Sequence, residues 1–79
     1  MTAEQKNSAR VCKLAINASD KCIARRRVDA AAAILERYLH AHPPHAEVLR
    51  RLGKIRLTQG RPKDAAPLFR QALDCYQAQ

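Results

Sequence analysis

Three histidines, His40, His42 and His45, fall within six residues of one another, and three cysteines, Cys12, Cys22 and Cys75, are scattered along the chain. Imidazole and thiolate are common ligands of transition metals. The spacing does not make a metal site, because Pro43 and Pro44 hold the stretch between His42 and His45 extended, and histidines in such a turn are ordinary surface residues. Cys12 and Cys22 lie about 15 Å apart if they share one helix, too far to bridge. They read as small core residues. An odd number of cysteines without a Cys-x-x-Cys pair fits a reducing compartment, and the cytoplasm is the expected location. No glycine-rich phosphate loop and no nucleophile set beside a base and an acid appears, so neither an enzyme nor a cofactor is expected.

Charge is the other candidate for chemistry. Fifteen Lys and Arg against seven Asp and Glu give a formal charge of +8. Such a surface attracts acidic proteins, nucleic acid or anionic lipid. The basic residues run along the whole chain, in Arg25-Arg26-Arg27, Arg50-Arg51, Lys54, Arg56, Arg61, Lys63 and Arg70, as they do on solvated helix faces. Nucleic acid is disfavoured as a partner: one Phe, two Tyr and no Trp leave little to stack on bases, and contact with phosphates alone would be non-specific and salt-sensitive. No stretch has the roughly 20 apolar residues of a membrane span, and the polar start lacks the apolar run of a signal peptide.

The elements that position these residues are helices. Ala, Leu, Arg and Gln are abundant and β-branched runs are scarce, which disfavours a sheet. Three breaks, at Arg25-Arg26-Arg27, His42-Pro43-Pro44-His45 and Gly60-Arg61-Pro62, leave four helix-sized segments. The first runs from about Asn7 to Ala24, after a flexible 1–6, with Val11, Leu14, Ala15, Ala18 and Cys22 expected to face inward. The second spans about Val28 to Ala41, with Ala31, Leu35, Tyr38 and Leu39 on one face. The third spans about Ala46 to Gln59, with Leu49, Leu52, Gly53 and Arg56 on one face and Gly60 as a left-handed cap. The fourth, about Pro62 to Tyr76, shows Ala65, Leu68, Phe69, Ala72 and Leu73. Pro67 lies deep enough to kink this helix or delay its start. Short connections make neighbouring helices antiparallel, giving two hairpins in series.

Shifting the sequence by 34 residues lays Val28 on Pro62, Ala31 on Ala65, Leu35 on Phe69 and Leu39 on Leu73. In the second unit, about 46–79, Leu49, Leu52-Gly53, Gly60, Ala65, Phe69, Ala72 and Leu73 follow the pattern of the tetratricopeptide repeat family, which this unit resembles. The first unit, about 12–45, keeps Ala31, Leu35, Leu39 and the closing Pro43, but has Ser19 and Arg26 at the two glycine positions and Tyr38 at a small-residue position. The resemblance implies a single all-α domain, a short right-handed solenoid of two helix hairpins whose first helices line a concave groove. It implies an interaction module, adaptor or chaperone-like, rather than a catalyst.

Carried over from the family pattern, the groove residues are Lys13, Ile16, Asn17, Asp20 and Ile23 in the first unit, and Glu47, Arg50, Arg51, Lys54 and Leu57 in the second. This makes a groove apolar at one end and basic at the other. Asn17, Arg50 and Lys54 fall at positions that some family members use to clamp a terminal carboxylate, but the set is incomplete. The expected partner is another protein or peptide segment, helical or extended and possibly acidic. Repeat arrays ordinarily take three or more units with a capping helix, so two units leave apolar surface uncovered, at Leu68, Leu73, Cys75 and Tyr76 on the last helix and at Cys12, Ile16 and Ile23 on the first. Leu68, Leu73 and Tyr76 then become an interface for a homodimer or hetero-oligomer.

Overall fold

The computed structural model describes residues 3–77, which form four helices: α1 (Ala3–Ala24), α2 (Val28–Ala41), α3 (Ala46–Thr58) and α4 (Pro62–Gln77). No strand occurs among the described residues. Helix α1 begins four residues before the expected Asn7, so 3–6 of the stretch expected to be flexible are helical, while Met1 and Thr2 lie outside the described residues. Helix α4 begins at Pro62, so Pro67 does not delay it. A first-turn proline costs nothing where the N–H has no helical partner, whereas Pro67 removes one internal hydrogen bond.

The helix ends show why the breaks fall where they do. The α1–α2 turn closes with Arg27 N–H donating to the Cys22 carbonyl at 2.7 Å and Arg26 N–H to the Ile23 carbonyl at 2.9 Å. The α3–α4 turn repeats this, with Arg61 N–H on the Arg56 carbonyl at 2.8 Å and Gly60 N–H on the Leu57 carbonyl at 3.0 Å. Both are Schellman closures, which put one residue in the left-handed region. That residue is Gly60 at φ 74° in the second unit and Arg26 at φ 60° in the first. Between the hairpins His42 and His45 are extended, and the His45 ring accepts from Glu47 N–H at 3.3 Å, capping α3.

Contacts run α1 to α2, α2 to α3, α3 to α4 and more sparsely α1 to α3, the order of two stacked hairpins. The main core lies at their junction. Cys12, Ala31, Ala32, Leu35 and Tyr38 from the first hairpin meet Val48, Leu52 and Ile55 of α3. The opposite flank of α3, with Ala46, Leu49 and Gly53, packs toward α4, whose Ala65 and Ala72 are buried. Burial pushes the Cys12 thiol above its ordinary pKa, partly offset by its hydrogen bond with Tyr38.

Helix α1 corrects the expected inward face. Leu14 is 62% exposed, while Cys12 and Ser19 are buried and Val11, Ala15, Ala18 and Cys22 flank them half-buried. The stripe therefore centres on Cys12 and Ser19, two turns apart, and Cys12 belongs to the core rather than to an uncovered surface. Ser19, at 0% exposure, satisfies its hydroxyl by donating to the Ile16 carbonyl at 2.8 Å. It stands 34 residues before Gly53, as Leu35 stands 34 before Phe69. A Cβ on Gly53 would lie 2.8 Å from the Phe69 ring. The two hairpins thus fill equivalent positions with Ser and Leu in one and Gly and Phe in the other.

Two outcomes are expected in urea or thermal denaturation. Arg26→Gly removes a left-handed non-glycine residue and raises stability by about 1 kcal/mol, whereas Gly60→Ala lowers it by about the same amount. Gly53→Ala, which in an open helix would gain about 1 kcal/mol from propensity, instead destabilises by about 1–3 kcal/mol through overpacking. Adding Phe69→Leu recovers most of that loss, as the Ser19 and Leu35 positions of the first hairpin indicate.

Candidate functional site

The first helices of the two hairpins, α1 and α3, are tied by an ion pair between Asp20 and Arg51. The same guanidinium sits 3.6 Å from Glu47, and its buried Nε has no hydrogen-bond acceptor. Glu47 in turn accepts two bonds from Arg50, at 3.2 Å each, and one from the Tyr76 hydroxyl at 3.0 Å. Asp20, Arg51, Glu47 and Arg50 thus form an unbroken run of alternating charge that links α1 to α3, and Tyr76 brings in the end of α4. The Arg50 hydrogen bonds, followed by the Tyr76 bond, hold the Glu47 carboxyl below its ordinary pKa, and the Glu47 carboxylate pushes the Tyr76 hydroxyl up.

This network corrects the expectation of a basic end to the groove. Arg50 and Arg51 are matched by two carboxylates, and the four groups sum to zero. Lys54 and Lys13 are exposed and make no ion pair among the described residues. Beside the network is a hollow of about 210 Å³ lined by Ile23, Val28, Arg51, Lys54, Ile55 and Thr58. Of the expected groove residues, it gathers Ile23, Arg51 and Lys54. Asp20 and Arg50 belong to the charge network, and Ile16 is turned partly into the core. Lys13 and Asn17 are exposed elsewhere on α1, and Leu57 is 50% exposed near the end of α3.

Val28, Ile55 and Thr58 were not foreseen in the hollow. Ile55 and Thr58 continue the three- and four-residue steps from Arg51, a signal the sequence carries, whereas Val28 enters only because the α1–α2 turn is so tight. The spacing of Glu47 from Arg50 and Arg51, three and four residues, is a signal the sequence carries, whereas its ties to Tyr76 and, through Arg51, to Asp20 have none.

The three residues expected at an oligomer interface separate. Leu68 packs against the core, and Tyr76 reaches back to Glu47. Leu73 stays open, at 56% exposure. The histidines have positions of their own: His45 caps α3, and His42 stacks on Tyr38 with ring centroids 4.8 Å apart. Among the described residues, no three His, Cys, Asp or Glu side chains are grouped closely enough to hold a metal ion. No helix there is long and apolar enough to cross a membrane.

The lowered Glu47 pKa sets a pH dependence. Its stabilising contribution is complete above the ordinary glutamate value of 4.5 and is lost as the pH falls through the lowered folded-state value. Melting curves from neutral to strongly acidic pH should show wild type above Glu47→Gln at neutral pH, with the gap closing on the acid limb. A gap independent of pH would mean that the charge of Glu47 is not what ties the helices.

A family model described as tetratricopeptide repeat matches residues 23–79, well over half of the chain and all of the second hairpin. No curated protein and no solved structure matches the sequence. The matched residues comprise α2, α3 and α4, with the α3–α4 hairpin, the small-residue contact at Gly53 and the left-handed closure at Gly60. Repeats of this kind generally mediate protein–protein interaction. Sequence match and architecture agree, and the chain belongs to the tetratricopeptide repeat family.

Proposed function

We propose that the chain is an adaptor or chaperone-like module that holds a helical or extended segment of a partner protein along α1 and α3. The observation that carries this reading is the hollow beside Ile23, Arg51 and Lys54, with Ile23 42% exposed at its rim. Leu57, one repeat on from Ile23, is 50% exposed. Two apolar side chains at equivalent places on neighbouring helices form a spaced pair of anchors, the usual means by which a groove reads alternate residues of a docked segment. Lys54, outside the charge network, is the group to meet a carboxylate of the segment. The neutral Arg50, Arg51, Asp20 and Glu47 set fixes the separation of the helices and leaves recognition to the residues around it. Binding, not catalysis, is the activity that this groove supports.

The test is site-specific photo-crosslinking. A photoreactive residue at position 23 or 57, introduced into the chain in its own cells, should trap the same protein partner, and the same residue at exposed Arg37 should not. Ile23→Glu and Leu57→Glu should each weaken that capture at least about tenfold while shifting stability by less than about 0.5 kcal/mol, as expected for exposed positions. Equal capture at all three positions would reject the groove as the binding surface.

A further inference from the structure

We propose that the outer face of α4 is a second docking site, separate from the groove, for a partner helix that carries two acidic residues one turn apart. The chain contains its own precedent for such a contact. Helix α2 receives α3 with Ala32 buried to 4% and Leu39 packed against the shared core. Two polar contacts flank this packing: Glu36 pairs with Arg56, and Asp29 accepts from Gln59 at 2.7 Å.

The 34-residue shift places Ala66, Leu73, Arg70 and Lys63 at the corresponding positions of α4. Among the described residues α4 packs against α3 alone, and no further helix covers this face. Ala66 is exposed, Leu73 is 56% exposed, and Lys63, Ala66 and Arg70 line a hollow of about 500 Å³ together with one carboxylate, Asp74, whose counterpart on α2 is the exposed His40, away from the α3 contact. The face thus keeps the small residue and the leucine with which α2 holds a helix, and reverses both polar positions from acid to base. A helix docking in the same manner would meet Arg70 and Lys63 with the residues corresponding to Arg56 and Gln59, three apart.

The charge reversal also argues against a second copy of this chain. In head-to-tail stacking, α1 of the next copy would lie on α4, with Cys22 and Arg25 at the places of Arg56 and Gln59. Arg25 would then face Lys63. Helix α3 in that position would set Arg56 against Arg70. Both arrangements juxtapose like charges, whereas carboxylates three residues apart match both bases.

The experiment uses two capped, fluorescently labelled peptides, residues 46–59 as they stand and the same peptide with Arg56→Glu and Gln59→Glu, titrated with the full chain and followed by anisotropy. The acidic peptide is expected to bind at least about tenfold more tightly than the unaltered one. Lys63→Glu with Arg70→Glu in the protein should reverse that order, and Leu73→Glu should abolish binding of both. All three positions are exposed, and unchanged melting curves would show that the fold is kept. Absence of binding, equal affinity for the two peptides, or an order unaffected by the charge swap would overturn the proposal. So would sedimentation showing a dimer that Leu73→Glu dissociates, which would assign the face to a second copy.

Discussion

Helix α3 is buried on both flanks, and the arrangement of the other three helices follows from that. One side of α3, through Val48, Leu52 and Ile55, completes the core begun by α1 and α2. The other holds α4 at the distance permitted by Gly53, where nothing larger than hydrogen fits beneath the Phe69 ring. A thirteen-residue helix in isolation would be marginal in water. It is stable here because little of its surface other than the groove stripe remains in solvent. The molecule is accordingly a slab with principal extents of 39 × 26 × 17 Å, built sideways from one central element.

Charge is arranged on the same plan. Acidic residues are few, and most are committed to ties between elements or within a turn: Asp20 to Arg51, Glu36 to Arg56, Asp29 to Gln59, Glu47 to Arg50 and Tyr76, and Asp64 to Arg61. The partly exposed ion pairs each contribute little to stability. Together with the hydrogen bonds they act on register, since the Asp20–Arg51 ion pair and the Gln59–Asp29 and Tyr76–Glu47 hydrogen bonds each cross between helices about thirty residues apart in sequence. With the carboxylates used in this way, the positive excess is left on outer surfaces. Net charge therefore says little about the Asp20, Arg51, Glu47 and Arg50 network, whose charges cancel.

The four helices and their breaks were legible because apolar periodicity, prolines and one glycine fall where local geometry requires them. Gly60 and Pro62 each specify a backbone conformation that few other residues adopt as readily. Leu14 misled because a single large apolar side chain outweighs its smaller neighbours in a periodicity reading, yet α1 meets the core through Cys12 and Ser19, small enough for close packing. Of the α3 positions carried over from repeat register, Arg51 and Lys54 line the hollow. The Asp20–Arg51 pair was not legible, since its partners stand 31 residues apart, whereas Glu47 lies at the three- and four-residue helical spacing from Arg50 and Arg51.

The sparse contact between α1 and α3 has a kinetic corollary. Nearly all packing joins helices that follow each other directly in the chain, so little loop entropy must be lost before native contacts form. Domains with such local topology fold in microseconds to milliseconds. A chain of this topology, once unfolded, would regain its shape within that time, faster than most bimolecular encounters in dilute solution.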